Sequence, residues 1–194
     1  MHHIHHTHGF VIGSRNFGEA NKMLTIYTRE MGLVHAMVQG IRLGKSKLKS
    51  SLQDLSYAKI DFVQGRDIWR VTSATHIDSF PYARRNKDSL LLISRVSKLI
   101  ERLCAGEEKN EKIFDDFVNA LYLLDKEDTT SLAREALELY LVLSITHALG
   151  YIGDGHTMKD YIASDFDINA FDVFLKEKKQ IISHINRALS ESQL

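Results

Sequence analysis

Four cations within eight residues form the densest chemistry in the sequence: Arg42, Lys45, Lys47 and Lys49, in the stretch GIRLGKSKLKSS from Gly40 to Ser51. No acidic residue stands between Glu30 and Asp54 to offset them. A loop of this kind suits a polyanion. Its ammonium and guanidinium groups can take phosphate oxygens, and the small residues Gly44, Ser46, Ser50 and Ser51 let a phosphate backbone approach main-chain amides and hydroxyls. On charge pattern alone a solvated surface run explains the same residues, so the surroundings must decide. QGIRLGKS is one residue away from the nucleotide-binding P-loop, with Gln39 where glycine is required. The following KLKSSLQDL carries no clear helical stripe, so the amide cradle on a helix N-terminus that a nucleotide needs is not expected.

Other reactive residues are scattered. His2, His3, His5 and His6 could capture a transition metal, but no carboxylate or thiol lies beside them in sequence to define a geometry, and no metal site is assigned. The single cysteine, Cys104, excludes an internal disulfide and any zinc site needing two thiolates, and reads as a buried helix thiol in a reducing compartment. His147 and His156 lie near Asp154 and Asp160, yet no nucleophile elbow or metal spacing organises them. GYIGDGH follows a helix rather than a strand and is not a dinucleotide fingerprint. No catalytic constellation and no cofactor are expected.

The elements that must position the basic loop are short strands. IHHTHGFVIGSR places Ile4, His6, His8, Phe10 and Ile12 on one face. NKMLTIYTRE does the same with Leu24, Ile26 and Thr28. LVHAMVQG turns Val34, Ala36 and Val38 inward, and after the basic loop LSYAKIDFV does so with Ala58, Ile60 and Phe62. IWRVTSATHI alternates Trp69, Val71, Ser73, Thr75 and Ile77 against Arg70, Thr72, Ala74 and His76. Five strands in so short a span, with no helix-length stripe among them, predict a small barrel of the OB type over residues 1–80. Such barrels bind single strands with cationic loops and exposed aromatic faces. Arg15, Lys22, Arg29, Arg66 and Arg70 add to the basic loop. Phe17, Tyr27, Tyr57 and Trp69 are possible stacking platforms, although aromatics also fill barrel cores. Trp69, beside Arg70 and just past the Arg66 turn, is the stacking residue chosen.

From Pro81, the only proline, the apolar period changes from two to about 3.6, which predicts an all-α domain over 81–194. Leu92, Val96, Leu99 or Ile100, and Leu103 form one stripe. Ile113, Phe114, Phe117, Val118, Leu121 and Tyr122 form a second. Ser131 is expected to cap a third helix, ALELYLVLSITHALG, apolar nearly all round and ended by Gly150. A last helix from about Ile168 aligns Phe171, Phe174, Leu175, Ile181, Ile182, Ile185 and Leu189. The fold class is thus α+β, barrel first and helices after.

Composition is that of a globular protein, with 44% hydrophobic and 26% charged residues in 194. The net charge of zero conceals an asymmetry. Residues 1–80 hold 10 Lys and Arg against 6 Asp and Glu, whereas residues 81–194 hold 15 against 19, so the barrel half can attract a polyanion. No apolar run is long enough to span a bilayer and no leader pattern opens the chain, so a soluble, unexported, cytoplasmic protein is expected.

In its order of elements the chain resembles RecO, a family of bacterial recombination mediators. The resemblance is carried by GFVIGSRNFGEANKMLTIYTREMGLVHAMVQGIRLGKSKL and FVQGRDIWRVTSATHIDSF, and more weakly by EKIFDDFVNALYLL and ALELYLVLSITHALGY. It implies an N-terminal OB fold and a C-terminal helical domain. It also implies non-enzymatic binding and annealing of single- and double-stranded DNA, a RecR-like partner, and contact with single-stranded DNA-binding protein while recombinase is loaded. By position, Arg15, Arg42, Lys45, Lys47 and Lys49 would line the DNA surface, extended by Arg66 and Arg70. Many members carry a zinc-binding cysteine cluster after the LGY helix, whereas GYIGDGHTMKDYIASDF has no cysteine, and the helical region is short for the family. Two other function classes remain: an adaptor whose helices bind an acidic, apolar-ended tail, and a nucleotide-dependent enzyme using QGIRLGKS.

Overall fold

The structure is a computed structural model that describes residues 3–104, 106–153 and 171–191. His2, the residues after Gly153 that include Asp154, His156 and Asp160, and the expected helix start near Ile168 lie outside the described residues. Contacts divide the chain into two compact units, Met1–Pro81 with Ile100–Phe114, and Tyr82–Leu99 with Asp115–Leu194.

The first unit is built on five strands, β1 (Ile4–Phe17), β2 (Asn21–Thr28), β3 (Gly32–Val38), β4 (Tyr57–Gln64) and β5 (Trp69–Asp78), closed in the order β1-β2-β3-β5-β4. All pairings are antiparallel except the β3–β5 seam, where Ala36 faces Trp69 and Met37 faces Arg70. A one-turn helix α1 (Leu48–Ser51) lies between β3 and β4 in sequence. The barrel core holds Leu24, Ile26, Val34, Ala36, Val38, Ala58, Ile60 and Phe62, all fully buried, as alternation predicts.

Bulges change the phase elsewhere. The register of β1 shifts between Val11 and Gly13; before it, Thr7, Gly9 and Val11 are buried, while Ile4, on the opposite face, is 47% exposed. On β5 the register shifts where Phe62 faces Val71 but Asp61 faces Ser73, leaving Thr72 as an extra residue. The inward set Trp69 and Val71 therefore passes to Ala74, and Ser73, Thr75 and Ile77 are exposed instead of inward.

Residues 100–114 cover an outer side of the barrel. Phe114 meets Tyr27 and Tyr57 at ring-centroid distances of 6.0 and 6.1 Å, and Phe10 meets Phe80 at 6.1 Å. Leu33 N–H donates to Gly106 O at 3.2 Å. Gly32 adopts φ +65° in the β2–β3 turn, and a Cβ there would stand 2.3 Å from the Glu108 carbonyl oxygen, so only glycine fits. Burial raises the Tyr27 hydroxyl well above the usual tyrosine range, and burial also pushes the neighbouring Cys104 thiol up to about 11.

The second unit is helical: α2 (Pro81–Arg85), most of α3 (Lys87–Leu103) and α4 (Glu111–Leu124), α5 (Ser131–Ala148), α6 (Phe171–Lys176) and α7 (Lys178–Glu191). The predicted stripes are buried at Leu92, Val96, Phe117, Val118, Leu121, Ile181 and Ile185, while Tyr122 is 42% exposed. Thr130, rather than Ser131, caps α5, its Oγ1 accepting from Ala133 N–H at 3.1 Å. Gly150, at φ +78°, ends α5 as expected, its N–H donating to His147 O at 2.8 Å. No helix among the described residues is long and apolar enough to cross a membrane.

Candidate nucleic-acid interface

Strand register assembles a row that no single segment contains. Arg15 on β1 faces Met23 on β2, Met23 faces Met37 on β3, and Met37 faces Arg70 on β5. Their neighbours Leu24, Ala36, Val38, Trp69 and Val71 point into the core, so these four share the outer side of the strands. Arg15 and Arg70 are exposed there, Met37 is half-buried and Met23 is covered at 8% exposure. At about 4.8 Å per strand step, the row runs about 14 Å across the barrel with an arginine at each end. Beside it a second row pairs Gly13, Thr25 and His35, with Thr25 Oγ1 and His35 Nδ1 3.3 Å apart. Met23, Met37, Thr25 and His35 escape a search for charge and aromatics; their signal is cross-strand pairing, which needs the bulge at Val11 to be known.

The basic loop is tied to one corner of this surface. Arg42 N–H donates to Ala20 O at 3.0 Å, Gly40 N–H donates to Asn21 Oδ1 at 2.9 Å, and Arg42 Nη1 donates to Gly18 O at 3.0 Å. Arg42 is therefore partly engaged in fastening the loop to the β1–β2 turn, though it stays exposed. That turn follows Phe17, whose ring is 44% exposed. Lys45, Lys47 and Lys49 are exposed beyond the anchor, and α1, a single turn without a side-chain cap, offers no phosphate cradle. Arg66 is exposed in the β4–β5 turn, one strand end away from Arg70. Among the described residues none of Arg15, Arg42, Lys45, Lys47, Lys49, Arg66 or Arg70 is ion-paired. Arg29 differs: its guanidinium lies 3.0 Å from Glu111 and 4.0 Å from Glu30, which neutralises it. Lys22 donates to Ser14 Oγ at 3.2 Å.

Trp69 does not fit its expected role. The indole is 7% exposed within the barrel core, edge-on to Phe62 and to His5, and its Nε1–H donates to Glu107. Its inward position at the β3–β5 seam leaves no free ring face for a base. Tyr27 is fully buried and Tyr57 half-buried against Phe114, which leaves Phe17 as the exposed aromatic of the four considered. Among the histidines, His6 Nδ1 lies 2.6 Å from Asp61 Oδ1 across β1 and β4, a carboxylate neighbour invisible in sequence. Among the described residues no three or more His, Cys, Asp or Glu are grouped to hold a metal ion.

A closed five-stranded barrel with a cationic outer face, followed by a helical unit, defines an OB-type barrel protein with an appended α-domain. Residues 1–80 match the family model described as recombination protein O N terminal, and residues 84–158 match recombination protein O C terminal. DNA repair protein RecO of Pelotomaculum thermopropionicum is 31% identical over 141 residues, 73% of this chain and 53% of the relative. The RecO protein of Caldicellulosiruptor saccharolyticus is 34% identical over 118 residues, 61% of this chain and 48% of the relative. That of Acetivibrio thermocellus is 29% identical over 126 residues, 65% and 50% of the two chains. With both parts matched in order, the chain belongs to the RecO family of DNA repair proteins. It spans about half the length of the curated relatives it matches.

Proposed function

We propose that this chain is a non-enzymatic DNA-binding mediator whose barrel binds and anneals DNA strands during repair. The observation that carries the reading is the set of seven cations without an ion pair among the described residues, four in the loop Gly40–Ser51 and two ending the Arg15–Met23–Met37–Arg70 row. Cations without an ionic partner are free to replace the counterions of a phosphate backbone, and release of those counterions drives binding regardless of sequence. The part-exposed thioether of Met37 and the ring of Phe17 offer polarizable and aromatic surface to unstacked bases. Neutralising phosphates on both sides of a loop rich in lysine lowers the repulsion between two strands, which is the physical requirement for annealing. Assistance to recombinase loading, with a RecR-like partner and single-stranded DNA-binding protein, is part of the proposal, and the likeness to the RecO family supports it.

The test is a fluorescence titration of labelled single- and double-stranded oligonucleotides across a salt series. Binding whose logarithm falls steeply and linearly with the logarithm of salt, without sequence preference, is expected; salt-independent or absent binding sinks the reading. A second reading, an adaptor for an acidic, apolar-ended tail, draws on a cavity of about 360 Å³ in the helical unit, where Ala120, Leu123, Leu137 and Tyr140 suit the apolar end and Lys126 and Asp116 are the charged lining. Pull-down of such a tail by a chain stripped of DNA binding would favour it.

A further inference from the structure

A leucine stands among the cations of the basic loop. Leu43 is 58% exposed, more than any other large hydrophobic side chain among the described residues. Two positions earlier, Ile41 is 3% exposed and belongs to the barrel core, so the loop buries one aliphatic side chain in the barrel and holds the next one out. Leu43 N–H donates to Gly40 O and Ser46 N–H donates to Leu43 O, both at 3.1 Å. Leu43 thus ends one tight turn and begins the next.

The main chain beneath Leu43 is fastened. The bonds from Arg42 N–H to Ala20 O and from Gly40 N–H to Asn21 Oδ1 hold the loop on either side of Ile41. Leu43 Cδ1 lies over the bare Cα of Gly40, where a Cβ would stand 3.5 Å from it. A single exposed leucine is ordinary on a protein surface. Leu43 is not single, because the 3.0 Å bond from Arg42 Nη1 to Gly18 O ties its neighbour in sequence to the residue after Phe17, whose ring is 44% exposed. Arg15, Arg42 and Lys45 flank the two in sequence, exposed and without an ion pair among the described residues. What covers this corner must therefore offer apolar surface within and negative charge along its edge. Nucleic acid has that pattern, stacked bases inside and phosphates outside, and the corner continues the face proposed to bind DNA.

We propose that Leu43 is a wedge that enters between two stacked bases of the DNA held by the flanking cations and unstacks them. The inference rests on the DNA-binding reading above and adds a contact with bases that the cations do not supply. A leucine side chain carries no hydrogen-bonding group, so it inserts without choosing between bases, and the insertion is least costly in a single strand or at a flexible pyrimidine–purine step of a duplex. A strand whose bases have been unstacked presents their pairing edges to a second strand, so the wedge serves annealing as well as binding.

The experiment uses the whole chain at saturating concentration and reads the fluorescence of 2-aminopurine, which stacking quenches. The probe is set within a single-stranded oligonucleotide and, separately, at a TA or an AA step of a duplex. The single strand should brighten severalfold when the parent chain binds. Leu43→Ala should lose most of that rise and Leu43→Met should keep it. Both variants should retain the parental Tm and the parental slope of log affinity against log salt, because an exposed leucine neutralises no phosphate. The duplex arms locate the substrate: a larger rise at the TA step than at the AA step extends the wedge to flexible duplex steps, and no rise at either confines it to single strands. Absence of DNA binding by the parent chain would overturn the DNA reading and the wedge together. Salt-dependent binding without a rise, a rise undiminished in Leu43→Ala, a loss shared equally by Leu43→Met, or a rise lost only in Phe17→Ala would overturn the wedge and leave the DNA reading standing.

Discussion

Replacing Lys45, Lys47 and Lys49 together by alanine probes the central claim most directly, because the three are exposed and none has an ion pair among the described residues. Each cation that neutralises a phosphate of single-stranded DNA contributes about 0.7 to the slope of log affinity against log salt. If all seven unpaired cations of the barrel engage, the slope is about −5, and raising salt from 50 to 200 mM weakens binding about a thousandfold. Without the three lysines the slope is about −3, and the same change costs only about fiftyfold. Anisotropy titrations of a labelled oligothymidine at five or so salt concentrations resolve that difference. Arg29→Ala is the control. Arg29 is as close in sequence to the barrel's basic residues as any, but its guanidinium is taken by Glu111 at 3.0 Å, so its loss should leave the slope unaltered. A triple variant with the parental slope, or an Arg29 variant with a reduced one, would show that the free cations are not what meets the phosphates.

Phe17→Ala should lower affinity by about 1–3 kcal/mol at every salt concentration with the slope unchanged, as expected for a lost stacking platform; a change in slope alone would contradict that role. Trp69→Ala should instead show in unfolding experiments, losing about 3–5 kcal/mol as a buried aromatic, and the slope of whatever protein remains folded should be normal. For Gly32→Ala, the left-handed φ alone costs about 1–3 kcal/mol, and the blocked contact with the Glu108 carbonyl adds to it, so a fall in denaturant midpoint is expected and an unchanged midpoint would refute the turn geometry. The raised pKa of Cys104 fixes the direction of one pH effect. Its thiol titrates near 9.0 when unfolded and at about 11 when folded, so the unfolded chain binds fewer protons between those values. Stability is therefore fully present below pH 9 and declines as pH rises toward 11; the decline should be shallower in Cys104→Ala, and an equal decline in both proteins would exclude Cys104 as its source.

What the sequence determined by itself is what local order determines. Period-two alternation in NKMLTIYT, LVHAMV and YAKIDF announces three strands with their inward faces, because a strand exposes that alternation whatever lies beside it. The change to a period of 3.6 after Pro81 and the glycine stop at Gly150 are equally local, and so is the lack of acidic residues around the basic loop. Tertiary structure decided the rest, for reasons of distance and register. One extra residue at Thr72 reverses the faces of β5, and no sequence period encodes it. Trp69 reads as a surface aromatic beside an arginine, but its partners Glu107, Phe62 and His5 come from elsewhere in the chain and enclose it. Arg29 and Arg15 look alike in sequence; an ion pair to Glu111, more than eighty residues away, neutralises one, whereas the other has no ion pair among the described residues. The Arg15–Met23–Met37–Arg70 row exists only after folding, since side chains acquire neighbours across strands through contacts that chain order does not carry.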